Sequence, residues 1–249
     1  MLKVEISSLT VLQNSYHRKI LSNIFFDLGV GKIYAILGKN GSGKSTLIKS
    51  LTMLLDKNIY TTIGNVYWNN ESIFQMDEEQ LLNLRRKEIR YVLQDLNNNF
   101  DPLKKIKYYF DKSGSTAEQI SAQLKNYLLP DFDSISNLHS YEISGGMAQR
   151  LSFMLALLPN PTLLILDEPT SAIDYSNVNL IKLKLKEIAV NSNTALIVTQ
   201  DINFAKEVSD QIAYLDQGTL SEFVDVKTFF SEANSMSYQN FLTSFEGLQ

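Results

Sequence analysis

Apolar positions along the chain come in two spacings, and the two alternate. Compact runs of strand formers occur at Lys32-Ile33-Tyr34-Ala35-Ile36-Leu37, Ile89-Arg90-Tyr91-Val92-Leu93, Leu163-Leu164-Ile165-Leu166, 195–199 and 211–215. Runs of that length, bounded by turn residues, predict strands. Helical spacing follows over 77–87, 117–129, 176–189 and 202–208. It is clearest after Ser144-Gly145-Gly146, where Leu151, Met154, Leu155 and Leu158 share one side of a helix running to about 158. Residues 3–12 and 24–30 predict two short strands, with Tyr16 in a polar connection, and 64–70 a strand with its turn. Residues 95–140 break the alternation: Asn97-Asn98-Asn99, Pro102, Gly114 and Pro130 punctuate two or three helical pieces. The Tyr108-Tyr109-Phe110 cluster of this insertion belongs to its core or forms a docking face, the first being the commoner fate. The tail, 225–249, reads as partly helical. Strands alternating with helices predict an α/β protein.

The chemistry starts where the first compact run gives way to a helix. Gly38-Lys39-Asn40-Gly41-Ser42-Gly43-Lys44-Ser45-Thr46 fits the phosphate-loop pattern G-x-x-x-x-G-K-[ST] at every fixed position. Glycines let the backbone turn tightly, so that successive amide N–H groups point at an anion, and the following helix adds its positive end. Lys44 is placed to reach the β- and γ-phosphates of a nucleotide, and the Ser45 hydroxyl to complete the shell of a bridging Mg²⁺. A loop that merely turns the chain would not need strand and helix on either side of it.

Other candidates depend on what surrounds them. Asp167-Glu168 ends the 163–166 run, where an open α/β sheet binds its ligands. Asp167 suits a role in holding Mg²⁺ through water, and Glu168 in polarising an attacking water. Gln94 ends another strand and either ligates Mg²⁺ or is a turn residue. Ser144-Gly145-Gly146 reads equally as a helix N-cap and as a second anion nest. Tyr16 reads as a half-exposed loop residue or as a platform for a nucleotide base.

Composition narrows the classes. The 249 residues suffice for one large or two small domains, and 44% hydrophobic with 20% charged content is ordinary for a globular protein. A net charge of −4 gives no reason to expect a nucleic-acid partner. Without Cys, and with only His17 and His139, disulfides are excluded and a zinc centre is not expected. No apolar run approaches the ~20 residues that span a bilayer. The start, Met1-Leu2-Lys3-Val4-Glu5, lacks a secretory pattern, so a cytoplasmic location is expected, with any membrane association coming through a partner.

Taken together, residues 38–46, Gln94, Ser144-Gly145-Gly146-Met147-Ala148-Gln149-Arg150, 163–168 and Ser171-Ala172-Ile173-Asp174 resemble the ATP-binding subunits of ABC transporters, in that family's order. The resemblance spans roughly residues 1–225. It implies a P-loop NTPase of the ABC ATPase fold: a RecA-like core, an antiparallel β subdomain, a helical subdomain over about 95–155, and a separate tail from 226. It implies ATP and Mg²⁺ as cofactors, with Ser45, Gln94 and Asp167 on the metal and Glu168, Gln94 and Gln200 in hydrolysis. Two cassettes would pair head to tail, with Ser144, Gly145, Gly146 and Met147 of one completing the phosphate loop of the other and Tyr16 stacking on the base. The implied partners are a second, non-identical ATPase subunit, two transmembrane permease subunits and, indirectly, an extracellular solute-binding protein. The implied place is the cytoplasmic face of the membrane.

Gln94-Asp95-Leu96-Asn97-Asn98-Asn99-Phe100-Asp101-Pro102 and Ser-Gly-Gly-Met-x-Gln-Arg look like the peptide/nickel importer branch, whose solutes include peptides, nickel and metal–metallophore complexes; an opine-metallophore importer is the narrower expectation. Two features depart from the pattern. The branch's Cys-containing C-terminal extension has no counterpart before Gln249, and the family's switch histidine is here Gln200. Losing a charge-assisted hydrogen bond of ~1.5–3 kcal/mol slows hydrolysis roughly 10- to 100-fold. The site built on Lys44, Glu168 and Gln200 is therefore expected to bind ATP but turn over slowly, the opposite site being faster. A regulatory subunit that closes the dimer without hydrolysing ATP is the alternative. A GTPase is disfavoured because an Asn-Lys-x-Asp motif is missing.

Overall fold

The structure is a computed structural model that describes residues 1–13, 16–93, 100–171 and 175–231. The chain opens with a hairpin, β1 (Leu2–Gln13) and β2 (Tyr16–Leu28). It continues through β3 (Ile33–Leu37), α1 (Lys44–Ser50), β4 (Tyr60–Trp68), β5 (Glu71–Ser72), α2 (Glu78–Asn83) and β6 (Ile89–Val92). A helical stretch follows, α3 (Ile106–Ser113), α4 (Ala117–Asn126), α5 (Phe132–Ser136) and α6 (Gly145–Leu157). The remainder is β7 (Leu163–Asp167), α7 (Tyr175–Val190), β8 (Thr194–Thr199), α8 (Ile202–Val208), β9 (Gln211–Asp216), β10 (Thr219–Leu220), β11 (Val224–Asp225) and α9 (Val226–Ser231).

Two sheets result. β2-β1-β4-β5 is antiparallel throughout. The other runs β9-β3-β8-β7-β6 in parallel, with β10 and β11 added antiparallel to β9. Every residue of β3, β7 and β8 is buried, which is why those strands read as continuous apolar runs rather than alternations. Their side chains still alternate between faces. Leu163 and Ile165 pack with Leu196 and Val198, with Leu47 and Ile48 of α1, and with Leu9 and Leu21 of the hairpin. Leu164 and Leu166 pack with Ala195 and Ile197, with Leu185 and Ile188 of α7, and with Phe153 of α6.

The N-terminal strands are longer than their apolar pattern suggests. β2 starts at Tyr16 because backbone pairing with β1, Gln13 to Tyr16 and Leu12 to His17, carries the ladder through residues 16–19, which are exposed and leave no hydrophobic signature. The helix expected over 77–87 stops at Asn83. Leu84–Glu88 widens into a π-turn, and the Arg85 guanidinium ties it to the carbonyls of Thr52 and Met53 at the end of α1. The helix expected over 117–129 stops at Asn126, after a capping box between Thr116 and Gln119 at its start. Within 108–110, Phe110 is core and stacks on Phe132, whereas Tyr108 is exposed and flanked by Lys104 and Lys112. No helix of the described residues is long and apolar enough to cross a membrane.

Candidate functional site

The site lies where β3 and β7 end on the same edge of the parallel sheet. β3 runs into the loop 38–43 and α1 starts at Lys44. Gly43, with φ +104°, is the residue that turns the chain into the helix, and its carbonyl accepts from Leu47 N at 2.8 Å. A side chain is excluded there twice over. The backbone conformation favours glycine, and a Cβ would stand 2.9 Å from Leu21 Cδ2. A Cβ on Gly38 would stand 2.7 Å from both Leu215 O and Ser42 Oγ. The result is a backbone cradle held between the hairpin and β9.

Lys44 is buried inside this cradle. Its Nζ donates to the carbonyls of Gly38 (2.8 Å) and Lys39 (3.2 Å) and lies 3.0 Å from Glu168 Oε1. The Ser45 hydroxyl donates to Asp167 Oδ1 at 3.0 Å. Burial pushes the Asp167 carboxyl above its ordinary range, and the bond from Ser45 works the other way. Glu168 leaves β7 in the left-handed region, φ +47°, an uncommon conformation for a glutamate. Its N–H donates to Val198 O at 2.9 Å, while Oε2 accepts from the Thr199 hydroxyl and from Gln200 N, each at 3.1 Å. The Glu168 carboxylate is thus held from the end of β8, and the Asp167 carboxylate from the first turn of α1.

A cleft of about 460 Å³ opens above these groups, lined by Val11, Arg18, Ile20, Asn40, Gly41, Gly43, Lys44, Ser45, Thr46 and Glu168. Of the sequence candidates, the structure brings together the 38–46 loop, Asp167, Glu168 and the backbone of Gln200. Tyr16, at the start of β2, is 77% exposed and does not line this cleft, whose hairpin wall is formed by Val11, Arg18 and Ile20. No motif marked those three; only the hairpin pairing brings them to the loop. Gln94 and Ala172-Ile173-Asp174 lie outside the described residues. Ser144 caps α6 by accepting from Met147 N at 3.2 Å, and the exposed Ser144 and Gly145 do not line the cleft, nor do Gly146 and Met147. Thr199, a plain strand residue in the sequence, proves to be part of the carboxylate's support.

The arrangement fits a nucleotide polyphosphate with a hard cation. Loop glycines admit no Cβ, Ser42 Oγ is buried without a partner among the described residues, and the Ser45–Asp167 pair presents two oxygens of the kind Mg²⁺ takes. Among the described residues no cluster of His, Cys, Asp and Glu offers a rival metal centre.

Comparison with known proteins points the same way. A family model described as ABC transporter matches residues 21–171. The chain is 34% identical over 217 residues to a dipeptide transport ATP-binding protein of Caldanaerobacter subterraneus, covering 82% of this chain and 66% of that protein's length. It is 30% identical over 228 residues to an arginine transport ATP-binding protein of Bacillus subtilis, covering 90% and 92%. A metal-staphylopine import ATP-binding protein of Staphylococcus aureus is 29% identical over 227 residues, covering 87% and 83%. Among solved structures, a dimeric post-hydrolysis state of the ATP-binding cassette MJ0796 bound to ADP and Pi superposes with a TM-score of 0.78 at 26% identity, over 91% of this chain and 99% of that one.

Proposed function

Because the chain belongs to the ABC transporter family, a family of cassettes that use ATP with Mg²⁺, we propose that it is the ATP-binding subunit of an importer. It couples ATP binding and hydrolysis to solute uptake through two transmembrane permease subunits, and sits against the cytoplasmic face of the membrane. The observation that carries this reading is the joint placement of Lys44, Ser45, Asp167 and Glu168 at one end of the parallel sheet. The loop amides and Lys44 hold the β- and γ-phosphates; Ser45 and Asp167, with Gln94, hold Mg²⁺, which neutralises phosphate charge when bound. Glu168 accepts a proton from the attacking water, fixed for that task by Thr199 and by the amide of Gln200. The Lys44–Glu168 ion pair supports this reading by keeping a cation and a general base next to each other at the loop.

Ser144, Gly145, Gly146 and Met147, facing away from this cleft, serve the γ-phosphate of a second cassette, and the second subunit is non-identical. The solute is a peptide, nickel or a metal–metallophore complex, a class supported by the Ser-Gly-Gly-Met-x-Gln-Arg run and by the dipeptide and metal-staphylopine relatives. Gln200 favours one second reading, a regulatory subunit that binds ATP without hydrolysing it, and Glu168 opposes it.

Steady-state and single-turnover ATPase of the chain, alone and mixed with the partner cassette, tests both. Hydrolysis that needs the mixture and is abolished by Lys44→Ala supports the composite site. In a dimer whose partner is inactivated, a rate lost with Glu168→Gln and raised roughly 10-fold or more by Gln200→His supports a slow but hydrolytic site. Indifference to Glu168→Gln in that dimer would establish the regulatory reading.

A further inference from the structure

The helix that presents Ser144-Gly145-Gly146 is fastened to the turn that carries Glu168. Gln149, in the second turn of α6, is only 4% exposed, and its Nε2 donates to Pro169 O at 2.8 Å. Pro169 directly follows Glu168, whose left-handed backbone makes the turn. The turn is otherwise closed by Ser171 N donating to Glu168 O at 3.1 Å and braced by Thr170 Oγ1 donating to Asp201 at 3.3 Å. The orientation of the amide follows from chemistry, since a proline carbonyl accepts only and must face the NH₂ end. Gln149 Oε1 is buried without a partner among the described residues, so its amide is held to this turn by the Nε2 bond alone. Within the first turn of α6, Gly146 lies against α7: a Cβ there would meet Asn177 Nδ2 at 2.7 Å.

We propose that Gln149 is a positioning residue that couples the anion nest at the start of α6, which serves the opposite nucleotide, to the setting of Glu168 in this chain's own site. A helix turn separates Gly146 from Gln149, and one hydrogen bond separates Gln149 from the residue after Glu168. Engagement of a γ-phosphate by the nest is therefore felt at Glu168 through this single side chain. The inference rests on the composite-site reading proposed above.

Hydrogen exchange reads the coupling directly. In the assembled dimer carrying Glu168→Gln to stop turnover, Mg-ATP is expected to slow exchange of the amides at 145–147 and of those at 170–171. Gln149→Leu removes the donor at similar size, and Gln149→Glu replaces it with an acceptor. Either is expected to keep the slowing at 145–147 and to lose about tenfold of it at 170–171, the equivalent of one hydrogen bond. With Glu168 restored, kcat falls about tenfold while KM for ATP stays within about twofold. Slowing that survives at both segments, or disappears at both, overturns the proposal. If ATP slows neither segment while Gln149 is intact, although Lys44-dependent binding persists, the composite site itself is wrong and the coupling falls with it.

Discussion

At the scale of single residues, the site is governed by how one buried carboxylate is held. Glu168 faces an ammonium on one oxygen and a hydroxyl and an amide on the other, so its charge is matched although it is 6% exposed. Two of the three contacts come from residues 199 and 200 at the end of β8, and the contact from 200 is made by the backbone. The support that residue 200 gives Glu168 is therefore independent of its side chain. Thr199, fully buried, supplies the remaining support and also accepts from Asp201 N at 3.0 Å. Thr199→Val keeps the shape and removes the hydroxyl; hydrolysis is expected to fall about tenfold with ATP affinity nearly unchanged, whereas Thr199→Ser retains most of the rate. Single-turnover kinetics beside equilibrium ATP binding distinguishes this from a loss of binding.

At the scale of elements, helix starts set where the functional loops lie. Asp201 caps α8 by accepting from Phe204 N at 2.9 Å, and its other oxygen holds Thr170 in the turn after Glu168. One side chain thus starts a helix and steadies the turn after Glu168. Asp201→Ala is expected to cost about 1–2 kcal/mol in chemical denaturation, as for other lost caps, and to lower the hydrolysis rate as well. Asp201→Asn, which can still cap, is expected to recover most of the stability. The β1–β2 hairpin acts in a similar double manner: Leu21 packs in the core while its methyl presses on the position where a Gly43 side chain would stand.

At the scale of the molecule, the parallel sheet separates two large cores, with a smaller third cluster where α8 and α9 pack on β3 and β9. One face carries α1 and the antiparallel sheet, the other α7 and the helical stretch 100–157. No described residue of that stretch lines the nucleotide cleft. Phe110, 1% exposed and stacked on Phe132, anchors the stretch far from the loop. Phe110→Ala is expected to cost about 3–5 kcal/mol and to impair hydrolysis in the dimer. ATP binding to the single chain, followed by fluorescence titration, should persist at temperatures where the mutant is still folded. The cleft is thus built on one side of the sheet's end, while Phe110 and its neighbours form a core outside its lining.

What the sequence determined by itself is whatever depends on local backbone chemistry. The phosphate loop needs glycines at fixed spacing, β3, β7 and β8 need unbroken apolar residues to be buried on both faces, and α6 and α8 need cap residues just before they begin. Residues 38–46, Asp167 and Glu168 were legible for that reason, and so was the α/β class. Tertiary structure alone decided what relies on residues distant in the chain. Strand pairing, not any motif, lengthened the hairpin and brought Val11, Arg18 and Ile20 to the cleft. Burial turned Thr199 and Gln149 from ordinary polar residues into supports of Glu168 and the turn after it, because a hydroxyl or an amide acquires an obligatory partner only once water is excluded from it.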